Sequence, residues 1–245
     1  MSVAAPKILR LWTYLVKFSS KMIESGPKSA IQYSYHWLVE RYTDWSFDRR
    51  YNVNTLAEVP LANLTILDKD FNHKQDKRRY TQTSLVTFRE IMSTLPIRHE
   101  EYVFVDFGSG KGKAVLVASE YNFKKVIGVE FAEELHRIAK KNLLAYSNQE
   151  QRCYDIEFVF GDAVDLDIPK EKCVFYLANP FRGAEHVLSK IISNVYVSYC
   201  ANPRTLYFVY VNPISQHLFD EAEFIRLREK REFGLGTAAI YESVF

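Results

Sequence analysis

Three closely spaced glycines follow an apolar run in the stretch VDFGSGKGK, which spans residues 105–113. Gly108, Gly110 and Gly112 alternate with other residues, and Asp106 stands two positions before the first of them. Because glycine has no Cβ, it accepts positive φ angles and lets a ligand approach the backbone closely. The stretch therefore predicts either a ligand-binding loop or a tight turn between two buried elements.

The spacing of these glycines separates two classes of nucleotide ligand. A dinucleotide site takes the pattern G-x-G-x-x-G, and here Lys113 occupies the position of its third glycine. The pattern present is instead G-x-G-x-G, preceded by an acid. This spacing disfavours a nicotinamide-dependent oxidoreductase.

Short apolar runs follow one another from residue 80 onward, and most are separated by segments with apolar residues at helical spacing. The runs read YVFVDF, KVIGVE, DIEFVF, CVFYLA and TLYFVYV. This alternation is typical of βαβ units that form a parallel sheet buried on both faces. The last two extended segments, EFIRLREKREF and TAAIYESVF, have no crossover helix between them and are predicted to pair antiparallel.

Polar residues stand where these predicted strands end. Glu130 closes VIGVE, and a carboxylate there can accept hydrogen bonds from both hydroxyls of a ribose. Asp162 and Ala163 follow the third run, where an acid can accept from an exocyclic amine and a small residue leaves room for an adenine ring. Structural explanations stay open: Glu130 could stabilise the next helix terminus, and Asp162 could cap the segment after it.

Taken in order, VDFGSGKG, VIGVE, FGDA and YLANPF resemble the class I S-adenosylmethionine-dependent methyltransferases. The resemblance covers residues 80–245 and leaves residues 1–79 unexplained. It implies a Rossmann-like, doubly wound α/β fold with a mostly parallel seven-stranded sheet and an antiparallel last strand. It also implies S-adenosylmethionine as cofactor.

The resemblance assigns roles to residues of the predicted site. By it, Asp106 and the loop Gly108–Gly112 hold the methionine part of the cofactor, Glu130 holds the ribose, and Asp162 and Ala163 flank the adenine. The complete predicted cofactor site is Asp106, Gly108, Ser109, Gly110, Gly112, Glu130, Phe131, Asp162, Ala163, Asn179 and Thr83.

The fourth predicted strand ends in NPF, residues 179–181. This resembles the Asn/Asp-Pro-Pro-Tyr/Phe tetrapeptide of methyltransferases that act on amino or amide nitrogens, although one proline is missing. The resemblance implies that Asn179 accepts the hydrogens of the acceptor nitrogen and that Phe181 packs on the target group. A proline turn leaving a strand is the structural alternative.

The nature of the methyl acceptor depends on resemblance alone. The loop, Glu130 and the Asn-containing strand end are similar to the non-SET-domain lysine methyltransferases, which implies a protein lysine as acceptor. A small molecule, a nucleic-acid base and a non-catalytic nucleotide-binding role stay open. Similarity to bacterial methyltransferase-like proteins implies that Tyr80, Thr81 and Thr83 form a lid, with Tyr80 near the reaction. Alternatively, Thr83 or Ser84 caps a helix.

No residue stands out as a general base, although His217 follows the fifth run on the expected side of the sheet. No group of His, Cys, Asp or Glu has metal-ligand spacing, so we predict no metal. Cys153, Cys173 and Cys200 form no C-x-x-C pair, which suits a reducing compartment and hence a cytoplasmic protein.

Residues 1–79 form a mainly helical N-terminal extension to the domain predicted at 80–245. Helices are predicted near 6–24 and 28–40, separated by Gly26-Pro27, while residues 43–79 look irregular. Additions to a fixed scaffold commonly carry specificity, so we expect this extension to recognise the substrate.

The charge pattern bears on the partners of this chain. A net charge of +2 gives no overall reason to expect a nucleic-acid partner. The basic cluster formed by Lys74, Lys77, Arg78 and Arg79 favours a solvated charge run over a docking site for an acidic partner or a nucleic acid. No run reaches the ~18 apolar residues of a membrane span. The pattern of residues 6–24 favours packing on the protein or a partner over a peripheral membrane contact.

Overall fold

The computed structural model describes residues 4–57, 59–60, 64–65, 82–178, 181, 183–233 and 236–244. The chain divides into two compact units, Met1–Thr43 and Asp44–Phe245. This division falls earlier in the chain than the predicted boundary at residue 79. No helix among the described residues is long and apolar enough to cross a bilayer.

Helix α1 spans Ala4–Tyr51 and contains the predicted break, because Gly26 has φ 79° and ψ 176° and Pro27 follows it. The expectation that the chain is irregular from residue 43 is wrong as far as Tyr51. Helix α1 continues there because Phe47 is buried in a core cluster of the second unit. The helical pattern of this stretch is thus fixed by tertiary packing.

The second unit is built on one seven-stranded sheet with the order β3-β2-β1-β4-β5-β7-β6. Strand β7 runs antiparallel to both of its neighbours, and the remaining strand pairs are parallel. The strands are β1 (Tyr102–Phe107), β2 (Lys125–Glu130), β3 (Ile156–Phe160), β4 (Lys172–Leu177), β5 (Leu206–Val211), β6 (Ile225–Phe233) and β7 (Gly236–Ser243). The predicted Rossmann-like architecture is confirmed.

Helices cover both faces of this sheet. They are α2 (Leu85–Thr94), α3 (Lys113–Ala118), α4 (Glu133–Ala145), α5 (Glu185–Ala201) and the short α6 (His217–Asp220). Alternate residues of the strands point into two core clusters, so that Phe104 belongs to one and its neighbour Val105 to the other. The central strands are therefore buried on both faces and have continuous apolar sequences, as parallel strands do.

The strand order reverses between β1 and β4. From β1 the chain proceeds outward through β2 and β3, whereas β4 and β5 lie on the opposite side of β1. Ligands of open α/β sheets bind beyond the carboxyl ends of the strands at such a reversal. A ligand of this sheet is therefore expected to bind at the residues that follow β1, β2 and β4.

Candidate functional site

The glycine loop follows β1 directly and ends where α3 begins at Lys113. All three of its glycines have positive φ, with values of 79° at Gly108, 55° at Gly110 and 84° at Gly112. The amides of Gly108 and Ser109 both donate to the carbonyl of Val129 on β2, at 2.9 Å each. The loop is therefore a fixed structure attached to the neighbouring strand, with a backbone conformation that favours glycine.

A further glycine, Gly128 on β2, allows this close attachment. A Cβ at Gly128 would lie 2.7 Å from a methyl of Val115 and 2.9 Å from the side chain of Ser109. Strand β2 therefore needs glycine at this position so that the loop and the start of α3 can approach it.

Gly128→Ala is expected to destabilise the protein by about 1–3 kcal/mol, because the extra methyl overpacks a filled site. The matched control is Gly161→Ala, since a Cβ there would have its nearest neighbour at 3.9 Å. Urea unfolding of both variants measures the difference. Equal urea midpoints for the two variants would show that the loop shifts to accommodate the extra methyl with little loss of stability.

Two acidic side chains are buried at the ends of the neighbouring strands β1 and β2. Burial raises the pKa of Glu130 to about 7, against the opposing effect of its backbone hydrogen bonds. Burial, and then the charge of Glu130, raises the pKa of Asp106 to about 8. Such perturbed acids at a strand reversal are typical of functional sites.

Glu130 joins the glycine loop to the start of α4. One carboxylate oxygen accepts the amide hydrogen of Gly110 at 2.7 Å, and the other accepts that of Ala132 at 2.8 Å. Ala132 is the N-cap residue of α4, so the structural role weighed for Glu130 is present. A backbone hydrogen bond from Phe131 also acts on this carboxylate. A carboxylate has about four acceptor positions, so acceptor capacity remains for a ligand.

The hydroxyl of Ser109 is the second feature of the loop that fits a ligand. It is buried and has no hydrogen-bond partner among the described residues. Buried polar groups in folded proteins are nearly always hydrogen-bonded. An unpaired hydroxyl in a loop with this backbone conformation fits a site that binds a polar molecule.

The third strand brings Asp162 and Ala163 next to Glu130, because the amide of Gly161 donates to the carbonyl of Glu130 at 3.1 Å. Asp162 caps the short 3-10 turn Ala163–Asp165 by accepting the amide hydrogen of Val164 at 3.0 Å. Ala163 is buried in the second core cluster. The capping role weighed for Asp162 is thus present, and it leaves the second carboxylate oxygen available.

The remaining predicted site residues are described in part. Phe131 is half-buried at the start of the segment after β2. Phe181 is half-buried, packs against the second core cluster, and accepts the amide hydrogen of Ala184 at its carbonyl, 2.8 Å away. Tyr80, Thr81 and Asn179 lie outside the described residues.

Of the predicted lid residues, the structure describes Thr83. Thr83 is half-buried and precedes Ser84, which is the N-cap residue of α2. Asp44 forms an ion pair with the buried Lys113, and it also accepts the amide hydrogen of Leu85 at 3.0 Å. One carboxylate therefore connects the end of the loop with the start of α2.

Sequence reasoning missed the two lysines of the loop as structural residues. Lys111 and Lys113 are both buried. Lys111 donates to the carbonyl of Ala57 at 2.5 Å and to the side chain of Asn54 at 3.3 Å. Asn142 of α4 donates to the carbonyl of Lys111 at 2.9 Å. These contacts hold the segment that follows α1 against the loop.

Two expectations concern chemistry outside the loop. His217 lies on α6, and its Nε2 is 3.9 Å from a carboxylate oxygen of Glu185, with both side chains about half exposed. Within the part of the chain that the structure describes, no contact connects His217 with the predicted site residues. Within the described ranges, no group of three His, Cys, Asp or Glu residues is placed to hold a metal ion.

One family model and several solved structures match this chain. The family model described as "Histone methylation protein DOT1" matches residues 73–159. The matched stretch includes the glycine loop and Glu130, and it ends just before Asp162. It covers about a third of the chain.

Solved structures resemble this chain over about two thirds of its length. A SAM dependent methyltransferase from Aquifex aeolicus is 15% identical with a TM-score of 0.50, over 64% of this chain and 89% of that one. The protein yhhF from Escherichia coli is 14% identical with a TM-score of 0.51, over 69% and 93%. TrmN from Thermus thermophilus is 17% identical with a TM-score of 0.49, over 68% and 55%, so this chain spans about half of its length.

The likenesses to the Aquifex aeolicus and Escherichia coli proteins agree with the observed fold. The resemblance of the strand-end motifs implied a seven-stranded sheet whose last strand is antiparallel, and the structure has this sheet. The resemblance drawn from those motifs is confirmed at the level of the fold. The chain has the fold of the class I S-adenosylmethionine-dependent methyltransferases.

Proposed function

We propose that this protein transfers the methyl group of S-adenosylmethionine to an amine nitrogen, and that the acceptor is a protein lysine. The observation that carries the proposal is the buried Glu130 carboxylate, bonded to the amide of Gly110 within the stretch that the histone-methylation family model matches. A fold alone does not determine activity. The proposal therefore depends on this site.

The residues at the strand ends suit the separate parts of the cofactor. Glu130 would accept hydrogen bonds from the ribose hydroxyls, and Asp162 with Ala163 would border the adenine. Asp106 and the Ser109 hydroxyl would meet the polar end of the methionine part. When bound, S-adenosylmethionine supplies an electrophilic methyl on a sulfonium.

Methyl transfer of this kind needs alignment more than covalent help. The amine must arrive unprotonated, because its lone pair attacks the methyl carbon. We assign Asn179 and Phe181, which follow β4, to the binding of that amine, and Tyr80 and Thr83 to the lid. The N-terminal extension would then recognise the protein that carries the lysine.

The matching family supports a protein acceptor over the alternatives. That family is described as acting in histone methylation, and histones are proteins. We further propose a cytoplasmic location, which suits the three free cysteines.

A radiolabelled methyl-transfer assay on fractionated cell lysate tests the function. We expect label in protein bands, and acid hydrolysis of those bands should release labelled methyl-lysine. Label confined to RNA or to small molecules would overturn the acceptor class. Binding of NAD without binding of S-adenosylmethionine or S-adenosylhomocysteine, measured by calorimetry, would overturn the methyltransferase assignment itself.

A further inference from the structure

The second half of α1 presents an apolar stripe to solvent. Ile31 is 67% exposed, Tyr35 66%, Leu38 59% and Tyr42 67%. Their spacing of four, three and four residues places them on one side of the helix. A contiguous apolar surface of this kind marks an interaction site in a soluble protein.

The charges around this stripe have one sign. Between residues 28 and 42 the exposed charged side chains are Lys28 and Arg41, while the acid of this stretch, Glu40, is half-buried. Residues 1–43 contain six Lys and Arg against two Glu, within a chain whose totals are 32 and 30. The positive charge is therefore concentrated in the unit that carries the stripe, and the rest of the chain is net negative.

The exposed side chains of this face distinguish between three kinds of partner: nucleic acid, a second copy of the chain and an anionic lipid surface. Nucleic acid would contact Lys28 and Arg41 through phosphates but would leave the aliphatic Ile31 and Leu38 without a matching surface. A second copy would match the apolar spacing, but it would bring two positively charged units together. An anionic lipid surface matches both features, because aliphatic and aromatic side chains enter the acyl boundary while basic side chains meet headgroups.

We infer that the face formed by Lys28, Ile31, Tyr35, Leu38, Arg41 and Tyr42 docks on the surface of an anionic bilayer. The helix lies along the membrane and does not span it. This inference stands on the exposed face alone and is independent of the proposed methyl transfer.

Co-sedimentation of the full chain with vesicles tests the inference. The probes are phosphatidylcholine vesicles with and without phosphatidylglycerol. We expect binding to the anionic vesicles only. The pair of changes Ile31→Asn and Leu38→Asn should weaken that binding at least about tenfold, because the apolar contact is lost. The pair Lys28→Gln and Arg41→Gln should weaken it by about tenfold or more.

The matched control is Leu144→Asn. Leu144 is an apolar residue of α4 that is 89% exposed, and its replacement should leave vesicle binding unchanged. Circular dichroism confirms that each variant keeps its helices. Equal binding to both vesicle types, or none, would overturn the inference. So would binding of a generic RNA in place of vesicles, or a dimer in solution that Ile31→Asn and Leu38→Asn dissociate.

Discussion

Glu130→Gln is expected to lower the affinity for S-adenosylhomocysteine by at least about a hundredfold, because hydrogen bonds to a charged group contribute about 1.5–3 kcal/mol each. Glutamine keeps the size of the side chain but loses the charge and half of the acceptor capacity. Its single oxygen can still accept from Gly110 or Ala132, so the fold should survive. Isothermal titration calorimetry measures the loss.

The control for this variant is Glu133→Gln, which removes an exposed carboxylate from the first turn of α4. Its affinity should equal that of the wild type. Because the pKa of Glu130 is raised to about 7, the ionised form that accepts ribose hydroxyls increases as the pH rises. Wild-type affinity should therefore increase between pH 6 and 8, and this increase should be smaller in Glu130→Gln, where Asp106 still titrates in that range. Unchanged affinity in that variant would refute the ribose assignment.

Asp106→Asn is expected to stabilise the protein above neutral pH. The pKa of Asp106 is raised from 3.8 to about 8 in the folded protein. Between these values the folded state binds more protons than the unfolded state, so wild-type stability falls as the pH rises. Asparagine resembles the neutral acid and avoids this fall. Between pH 5 and pH 8 its advantage grows by on the order of 4 kcal/mol, since each pKa unit corresponds to about 1.4 kcal/mol.

Urea unfolding of the wild type and Asp106→Asn at pH 5 and pH 8 measures this effect. The advantage of the variant should grow between the two pH values. Asp167→Asn, at an exposed acid after β3, should show no such growth. A constant difference between wild type and Asp106→Asn would mean that Asp106 is not a perturbed acid. A positive result would show that the site keeps an ionisable acid at the expense of stability.

The fold was largely predictable from sequence because its signals are local. Each central strand is a short apolar run buried on both faces, and each acid of the proposed site stands at or near the end of such a run. Even the antiparallel pairing of β6 and β7 follows from the absence of a crossover helix between them. The break at Gly26 was predictable for the same reason, since glycine and proline act on their own backbone.

The packing around the glycine loop was not predictable in this way. Lys111 and Lys113 look like solvated residues, yet they are buried because Ala57 and Asp44, which are distant in sequence, supply their partners. The helix that begins at Lys113 is buried at every position, and the all-apolar pattern AVLVA was the available signal. Similarly, α1 extends to Tyr51 because Phe47 packs into a core whose other residues are mostly distant in sequence.

The position of β7 has a consequence for the synthesis of this protein. Strand β7 lies between β5 and β6 in the described sheet. The one sheet neighbour of β6 there is therefore β7, which is synthesised after it. A nascent chain that stops after β6 would therefore leave β5 with an open edge and β6 without a partner. Such exposed edges promote aggregation and invite recognition by chaperones and proteases. Messages truncated before the codons of β7 should thus yield chains that the cell removes, even though every residue of the proposed cofactor site has been translated.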